Sequence, residues 1–329
     1  MDEPRGKTRA LILAPTRELT DQIAKHLKEL AKYTGVSVAP VYGGVKSAPQ
    51  ITALKAGTDV IVATPGRLLD HIMRGNAHFD AVSMLVLDEA DRMLDMGFLP
   101  DVRRILRYLP KSRQTFFFSA TLPDAISALV RDMLHDPVRA ELSPKASPVE
   151  GLTQAIYAVP QEKKTELLLE LLKDDTIDSA IAFTRTKVAA NRLAAALEKN
   201  NISTSLIHGD RTQAERTTAL EDFKRGKYRV LVATDIASRG IDIQELGHVI
   251  NYDVPGAADD YMHRIGRTAR ANATGDAITF VSAEEESLLK QIEYALGKPL
   301  QRSKNPLFPD ASTEAPKPMM VYRSRTRRR

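Results

Sequence analysis

From Ala10 to about Leu296, short apolar runs alternate with longer stretches of helical spacing, and this alternation limits the fold more than any other feature. Parallel strands cannot be joined by tight hairpins, so each crossover carries a helix that packs on the sheet. The spacing predicts strands over Ala10–Ala14, Val36–Tyr42, Val60–Ala63, Ser83–Leu87 and Thr115–Phe118, separated by helices over Arg17–Tyr33, Gly66–Arg74, Leu99–Tyr108 and Asp124–Leu134. Both periodicities stop between Leu142 and Leu152, where two prolines, two serines and a glycine intervene. They resume in strands over Gln154–Val159, Ser179–Phe183, Ser203–Ile207, Arg229–Ala233, His248–Tyr252 and Ala277–Val281, with helices over Lys163–Leu172, Lys187–Lys199 and Gln213–Arg225. The expected organisation is an α/β domain over 1–142, a linker over 143–152 and a second α/β domain over 153–296. No fixed-period repeat points to a solenoid.

A length of 329 residues suits two such cores better than one. The absence of cysteine excludes disulfides, thiolate nucleophiles and Cys-based metal sites. No apolar run reaches the length of a membrane span or a signal peptide, so a cytoplasmic protein without membrane contact is expected. The net charge of +5 is unevenly spread: from Gly297 onward nine Lys/Arg face two Asp/Glu, a tail of +7 on a body of −2. This segment, 297–329, is rich in Pro, Ser and Lys and ends in five arginines within Arg323–Arg329. It is expected to be a disordered basic tail of the kind that condenses on nucleic-acid phosphates.

Two segments carry chemistry. Met84-Leu85-Val86-Leu87-Asp88-Glu89-Ala90-Asp91 is an apolar strand that runs into carboxylates. In an open parallel sheet ligands bind beyond the carboxyl ends of the strands, where these acids stand. Neighbouring residues of a strand point to opposite sides, so Asp88 can hold Mg²⁺ through water while Glu89 polarises an attacking water. The competing reading is a strand-end acid that caps the next helix. In Tyr261-Met262-His263-Arg264-Ile265-Gly266-Arg267-Thr268-Ala269-Arg270, Arg267 and Arg270 are three apart and would share a helix face, where two guanidinium groups can meet a transferring phosphoryl group. The alternative is a surface helix with solvated arginines.

These segments resemble motif II and motif VI of the DEAD-box RNA helicases, and other motifs occur in order around them. Pro15-Thr16-Arg17-Glu18-Leu19 resembles motif Ia, Gly43-Gly44 the GG motif, Thr64-Pro65-Gly66-Arg67 motif Ib and Ser119-Ala120-Thr121 motif III. Ala182-Phe183-Thr184-Arg185 is similar to motif IV, and His208-Gly209-Asp210 with Gln213 and Arg216 to the motif after it. Ala233-Thr234-Asp235 through Ser238-Arg239-Gly240-Ile241-Asp242 is similar to motif V. Leu94–Phe98 and Ala269 resemble the bacterial RhlE-type subgroup.

The resemblance implies two tandem RecA-like domains flanking a cleft, an ATP-dependent RNA helicase, ATP with Mg²⁺, and RNA bound without sequence preference. It implies catalytic roles for Glu89, Arg267 and Arg270, and nucleotide contacts from Asp88, Glu89, Gly240, Asp242, Arg267 and Arg270, with Asp88 holding Mg²⁺ through water. RNA contacts fall to Thr16, Arg17, Gly44, Thr64, Arg67, Arg185, Gly209 and Thr234. Asp91, Ser119, Thr121 and His263 would couple the nucleotide site to strand separation. The threonines and glycines also suit phosphate on elementary grounds, because strand-end hydroxyls and freed backbone N–H groups read backbone and not sequence; turn geometry accounts equally well for any single glycine.

One part of the family pattern is unmatched. No Gly-x-x-x-x-Gly-Lys-Thr and no adenine-reading glutamine precede Pro15. Gly6-Lys7-Thr8 leads at once into a strand, whereas a phosphate loop must open a helix, so it reads as a basic turn. The first domain is therefore expected to be N-terminally truncated, with an exposed sheet edge and apolar surface, and the chain to be a fragment of an active helicase. The alternative is a non-catalytic RNA-binding pseudo-helicase or scaffold, with a DNA helicase as a third reading. RNA target, pathway, partner proteins and oligomeric state are not encoded in recognisable form.

Overall fold

The computed structural model describes residues 6–134, 136–141, 152–235, 246–268 and 275–308. These residues form two compact units, one before and one after residues 142–151. Each unit has its own parallel sheet.

The first sheet contains β1 (Ala10–Leu13), β2 (Val38–Val41), β3 (Val60–Ala63), β4 (Met84–Leu87) and β5 (Gln114–Phe117), in the order β2-β3-β1-β4-β5. Every pairing is parallel. The inner strands read Ala-Leu-Ile-Leu, Val-Ile-Val-Ala and Met-Leu-Val-Leu, the near-continuous apolar runs of a sheet covered on both faces. Leu11, Leu13, Ile61, Leu85 and Leu87 are fully buried together with helix residues Leu68, Met93, Ile105 and Leu129. The helices are α1 (Arg17–Leu30), α2 (Ala48–Lys55), α3 (Pro65–Met73), α4 (Ala90–Asp95), α5 (Leu99–Leu106) and α6 (Asp124–Met133). Thr16 starts α1 by accepting the Leu19 N–H at 3.3 Å. The helix predicted over 17–33 is α1 followed by a single 3₁₀ turn at Ala31–Tyr33. Edge strand β5 leaves Phe116 and Phe118 exposed at 37% and 54%.

The register positions the motifs. Leu13 lies opposite Ala63 and Leu87, and Leu87 opposite Phe117, so β1, β3, β4 and β5 end on one row. Thr16, Thr64, Asp88 and Ser119 therefore follow strands that all leave the sheet along the same edge.

The second sheet contains β6 (Leu152–Ala158), β7 (Ala180–Thr184), β8 (Thr204–Ile207), β9 (Val230–Thr234), β10 (His248–Asn251), β11 (Gly275–Val281) and β12 (Arg302–Ser303). Its order is β12-β6-β11-β10-β7-β9-β8, again all parallel. Helices α7 (Lys164–Leu171), α8 (Lys187–Lys199), α9 (Gln213–Lys224), α10 (Ala258–Ile265) and α11 (Glu286–Leu296) connect the strands. Ile207, Ala233, Phe183, Asn251 and Thr279 share one row, beyond which the motif segments of this unit emerge.

The tail predicted from Gly297 starts later than its composition suggests. Gly297 closes α11 in the left-handed region at φ 67°, Leu300 is buried, and Arg302–Ser303 pair with β6. Asn305 donates to the Ala158 carbonyl at 2.7 Å, and Arg302 pairs with Glu286 and Glu293. Without this strand β6 would be a bare sheet edge, and pairing overrides the Pro/Ser/Lys composition. Residues 309–329, including Arg323–Arg329, lie outside the described residues, as does the expected linker up to residue 151.

Candidate functional site

The acids after β4 form a hydrogen-bonded polar cluster in the first unit. β4 stops at Leu87, so Asp88 and Glu89 do not alternate across a strand as the sequence suggested. Glu89 instead occupies the left-handed region at φ 48°, ψ 54°, rare for a residue with a Cβ and costing about 1–2 kcal/mol. The turn is held because the Asp88 N–H donates to Leu13 O at 3.0 Å and the Ala90 N–H to Phe118 O at 3.1 Å. Glu89 is further fixed by Arg92, whose Nη1 donates to its Oε2 at 2.8 Å. Burial first, and then the neighbouring Glu89 carboxylate, raise the Asp88 carboxyl above its ordinary range.

Asp91 is buried and looks toward the segment after β5. Its Oδ2 accepts the Thr121 N–H at 2.8 Å and the Thr121 hydroxyl at 3.0 Å, and its N–H donates to Ser119 Oγ at 3.2 Å. Ser119 in turn donates to the Thr121 carbonyl at 2.6 Å. The three residues assigned a coupling role in this unit thus form one hydrogen-bonded group.

Arg17, Gly44 and Arg67 lie together on the first unit. Gly44 has φ 81°, and a methyl on it would fall 2.1 Å from Arg17 Nη1; one on Gly43 would lie 3.6 Å from Arg17 Nη2 and 4.0 Å from Arg67 Nη2. The positive φ favours glycine at 44, whereas the close neighbour is the movable end of the Arg17 side chain. Arg67 reaches Val45 O at 3.5 Å. Thr16 and Thr64 are both buried at helix N-termini; Thr16 accepts from Leu19 N–H, while the Thr64 side chain makes no cap bond.

In the second unit Thr234 ends β9 beside Thr184, and both are buried. Gly209 is exposed, with nothing within 4 Å of an added Cβ. Arg185 is half-exposed and donates through Nη2 to Glu285 Oε1 at 2.8 Å and Val254 O at 3.1 Å. His263 lies in the last turn of α10. α10 ends at Ile265 and Gly266 caps it, so Arg267 lies beyond the helix, its N–H bonding Arg264 O in a turn; Arg270, with which it was expected to share a helix face, is not among the described residues. Gly240, Asp242 and Arg270 lie outside the described residues.

Several charged partners escaped sequence reasoning. Arg264, quoted within its motif without a role, is buried and bonds Asp235 twice, at 2.6 and 2.7 Å, as well as Asn251 and the Asp253 carbonyl. Arg92 carries a usable signal, its i,i+3 spacing from Glu89. Lys164, Asp253 and Glu285 meet across 121 residues, and no local pattern announces them.

Among the described residues no group of three or more His, Asp or Glu side chains forms a metal cage, and no helix is long and apolar enough to cross a membrane. Residues 1–129 match the DEAD/DEAH box helicase family, and residues 163–272 match the helicase conserved C-terminal domain. The chain is 44% identical over 296 residues to the ATP-dependent RNA helicase RhlB of Pseudomonas syringae pv. tomato, covering 89% of this chain and 75% of that protein. It is 42% identical over 317 residues to the DEAD-box ATP-dependent RNA helicase CshA of Bacillus subtilis, covering 96% of this chain and 64% of CshA. It therefore spans under two thirds of that relative's length. Among solved structures it resembles S. cerevisiae Dbp5 bound to RNA and ADP BeF3, with a TM-score of 0.81 and 33% identity, covering 91% of this chain and 78% of that one. A DEAD box protein from Methanococcus jannaschii is 38% identical with a TM-score of 0.52, covering 91% and 80%.

Proposed function

The chain belongs to the DEAD-box helicase family, and on that footing we propose that it couples ATP hydrolysis to local unwinding of RNA duplexes or remodelling of RNA–protein complexes in the cytoplasm. The observation that carries this reading is the hydrogen-bonded group of Asp91, Ser119 and Thr121 set one residue from Glu89. Asp91 thereby ties the acids after β4 to the segment after β5.

The residues fit a hydrated magnesium ion. Three carboxylates, Asp88, Glu89 and Asp91, fall within four positions; burial first and then the crowding of the acids raise Asp88, and a cation relieves the second of these costs. With no protein cage, the donor set suits an ion that keeps most of its waters, held by Asp88. Bound there with ATP, magnesium would neutralise phosphate charge. Glu89, oriented by Arg92, takes the role of water-polarising base. Arg267 and Arg270 supply positive charge to the γ-phosphate, and Gly240 and Asp242 contact the nucleotide. Thr16, Arg17, Gly44, Thr64, Arg67, Arg185, Gly209 and Thr234 hold RNA backbone, with Arg17 and Arg67 framing the Gly43-Gly44 turn.

The test is phosphate release from ATP with and without single-stranded RNA. RNA-stimulated turnover that Glu89→Gln abolishes, with RNA binding retained, supports the reading; turnover surviving Glu89→Gln removes Glu89 from its role. A second reading is RNA binding without hydrolysis. Salt-sensitive RNA binding that ignores added ATP would select it.

A further inference from the structure

A buried charge cluster in the second unit surrounds the base of Arg185. Lys164, the first residue of α7, is fully buried, and Asp253 and Glu285 are exposed by only 5% and 4%. Lys164 Nζ donates to Glu285 Oε2 at 2.6 Å and to Asp253 Oδ1 at 3.2 Å, and lies 5.7 Å from the centre of the Tyr252 ring. Two buried carboxylates against one buried ammonium leave an excess negative charge, and isolated buried charge is strongly unfavourable. Arg185 is the cation that balances it.

The bonding also fixes how Arg185 is held. Glu285 accepts four donors: Arg185 Nη2 and the Val254 N–H on Oε1, Lys164 Nζ and the Ser282 N–H on Oε2. A carboxylate with both oxygens doubly engaged cannot swing. The Arg185 backbone N–H meanwhile donates to Asp253 Oδ2 at 2.9 Å, so main chain and side chain of one residue are tied to the same cluster. Among the described residues, only Nη2 of the guanidinium finds acceptors. Nε and Nη1 donate to no described residue, and the side chain is 48% exposed.

We propose that Glu285 is a positioning residue for RNA binding: anchored by Lys164, it clamps Nη2 of Arg185 so that the remaining Nη1 and Nε donors are presented, already ordered, to RNA phosphate oxygens. This rests on the reading that Arg185 contacts RNA. Each remaining donor can give a charge-assisted hydrogen bond to a phosphate oxygen, and holding Nη2 removes the ordering cost that a free arginine meets on binding. Lys164 and Asp253 act one step further back, by keeping Glu285 and the Arg185 main chain in place.

The experiment measures binding of a fluorescent oligouridine by anisotropy across a salt series, for the full chain and for Arg185→Ala, Glu285→Gln, Glu285→Asp and the Arg185→Ala/Glu285→Gln pair. Arg185→Ala should weaken binding about three- to tenfold and reduce the salt slope by about 0.7, the loss of one phosphate contact on a single strand. Glu285→Gln should weaken binding about threefold, and the pair should bind like Arg185→Ala alone, because the two act on one contact. Glu285→Asp keeps the charge beside Lys164 but withdraws it from Arg185, and should reproduce the binding loss with a near-normal melting temperature. Single losses that multiply in the pair, or wild-type binding by both Glu285 variants, would overturn the positioning role. Unchanged binding by Arg185→Ala would instead remove the RNA contact on which it rests.

Discussion

At the scale of single residues, function here is bought with local instability. Asp88 is raised by burial and by Glu89, so its charged form costs the folded state energy. For a carboxylate shifted upward, the folded protein binds more protons than the unfolded one between the two pKa values; stability is lost as pH rises through that window and the full cost persists above it. Asp88→Asn, which can still accept the Glu89 N–H at 3.0 Å, should therefore raise the melting temperature of the first unit at neutral pH while removing magnesium-dependent nucleotide binding. The gain should shrink in acid, where protonation of Asp88 has the same effect as the substitution. A melting temperature that falls on Asp88→Asn at pH 7 would show that the carboxylate is stabilising. The carboxylates themselves were legible as an apolar run ending in acids, but their arrangement was not. The left-handed turn at Glu89 depends on bonds to Leu13 and Phe118, which are remote in sequence, so the alternation expected of a strand could not anticipate it.

At the scale of elements, legibility follows hydrophobic continuity. Strands such as β3 and β9 were predicted to within a residue because Val60–Ala63 and Val230–Ala233 are apolar throughout and flanked by polar turns. Helices α2 and α4 were not: α2 buries Gln50 beside Leu54 in place of an apolar stripe, the six residues of α4 hold too few turns to show a period, and the two-residue β12 has no pattern at all. Thr212-Gln213-Ala214-Glu215 forms a full capping box: Thr212 Oγ1 accepts the Glu215 N–H at 3.3 Å and Glu215 Oε2 accepts the Thr212 N–H at 2.7 Å. This box starts α9, which carries Gln213 and Arg216. Thr212→Ala should cost the second unit about 1 kcal/mol in urea unfolding with an unchanged m-value. The Thr212 hydrogen bonds hold the Glu215 carboxyl below its ordinary range, so its contribution is present above the ordinary carboxylate pKa and lost as pH falls through the lowered one. The difference between wild type and Thr212→Ala should accordingly narrow in acid; a difference that stays constant down to acid pH would remove Glu215 from the cap's energetics.

At the scale of the whole molecule, each unit has a core of its own. The first core gathers Leu11, Leu13, Ile61, Leu85, Leu87 and their helix partners, and the second gathers two clusters around β7 and around β11. Such cores arise because each sheet is sealed by the helices of its own crossovers, so the burial that stabilises one set of strands involves only residues of that unit. The break in periodicity at Leu142–Leu152 is the sequence expression of the same fact. Leu85→Ala tests it: the side chain is fully buried, and its truncation should destabilise the first unit by about 3 kcal/mol through lost transfer energy and the cavity left behind. Calorimetry of the chain should then show two transitions, of which Leu85→Ala lowers one and leaves the other in place. If both transitions move together, or if a single transition shifts as a whole, the two cores unfold as one cooperative body and the motifs on their strand ends share a single stability.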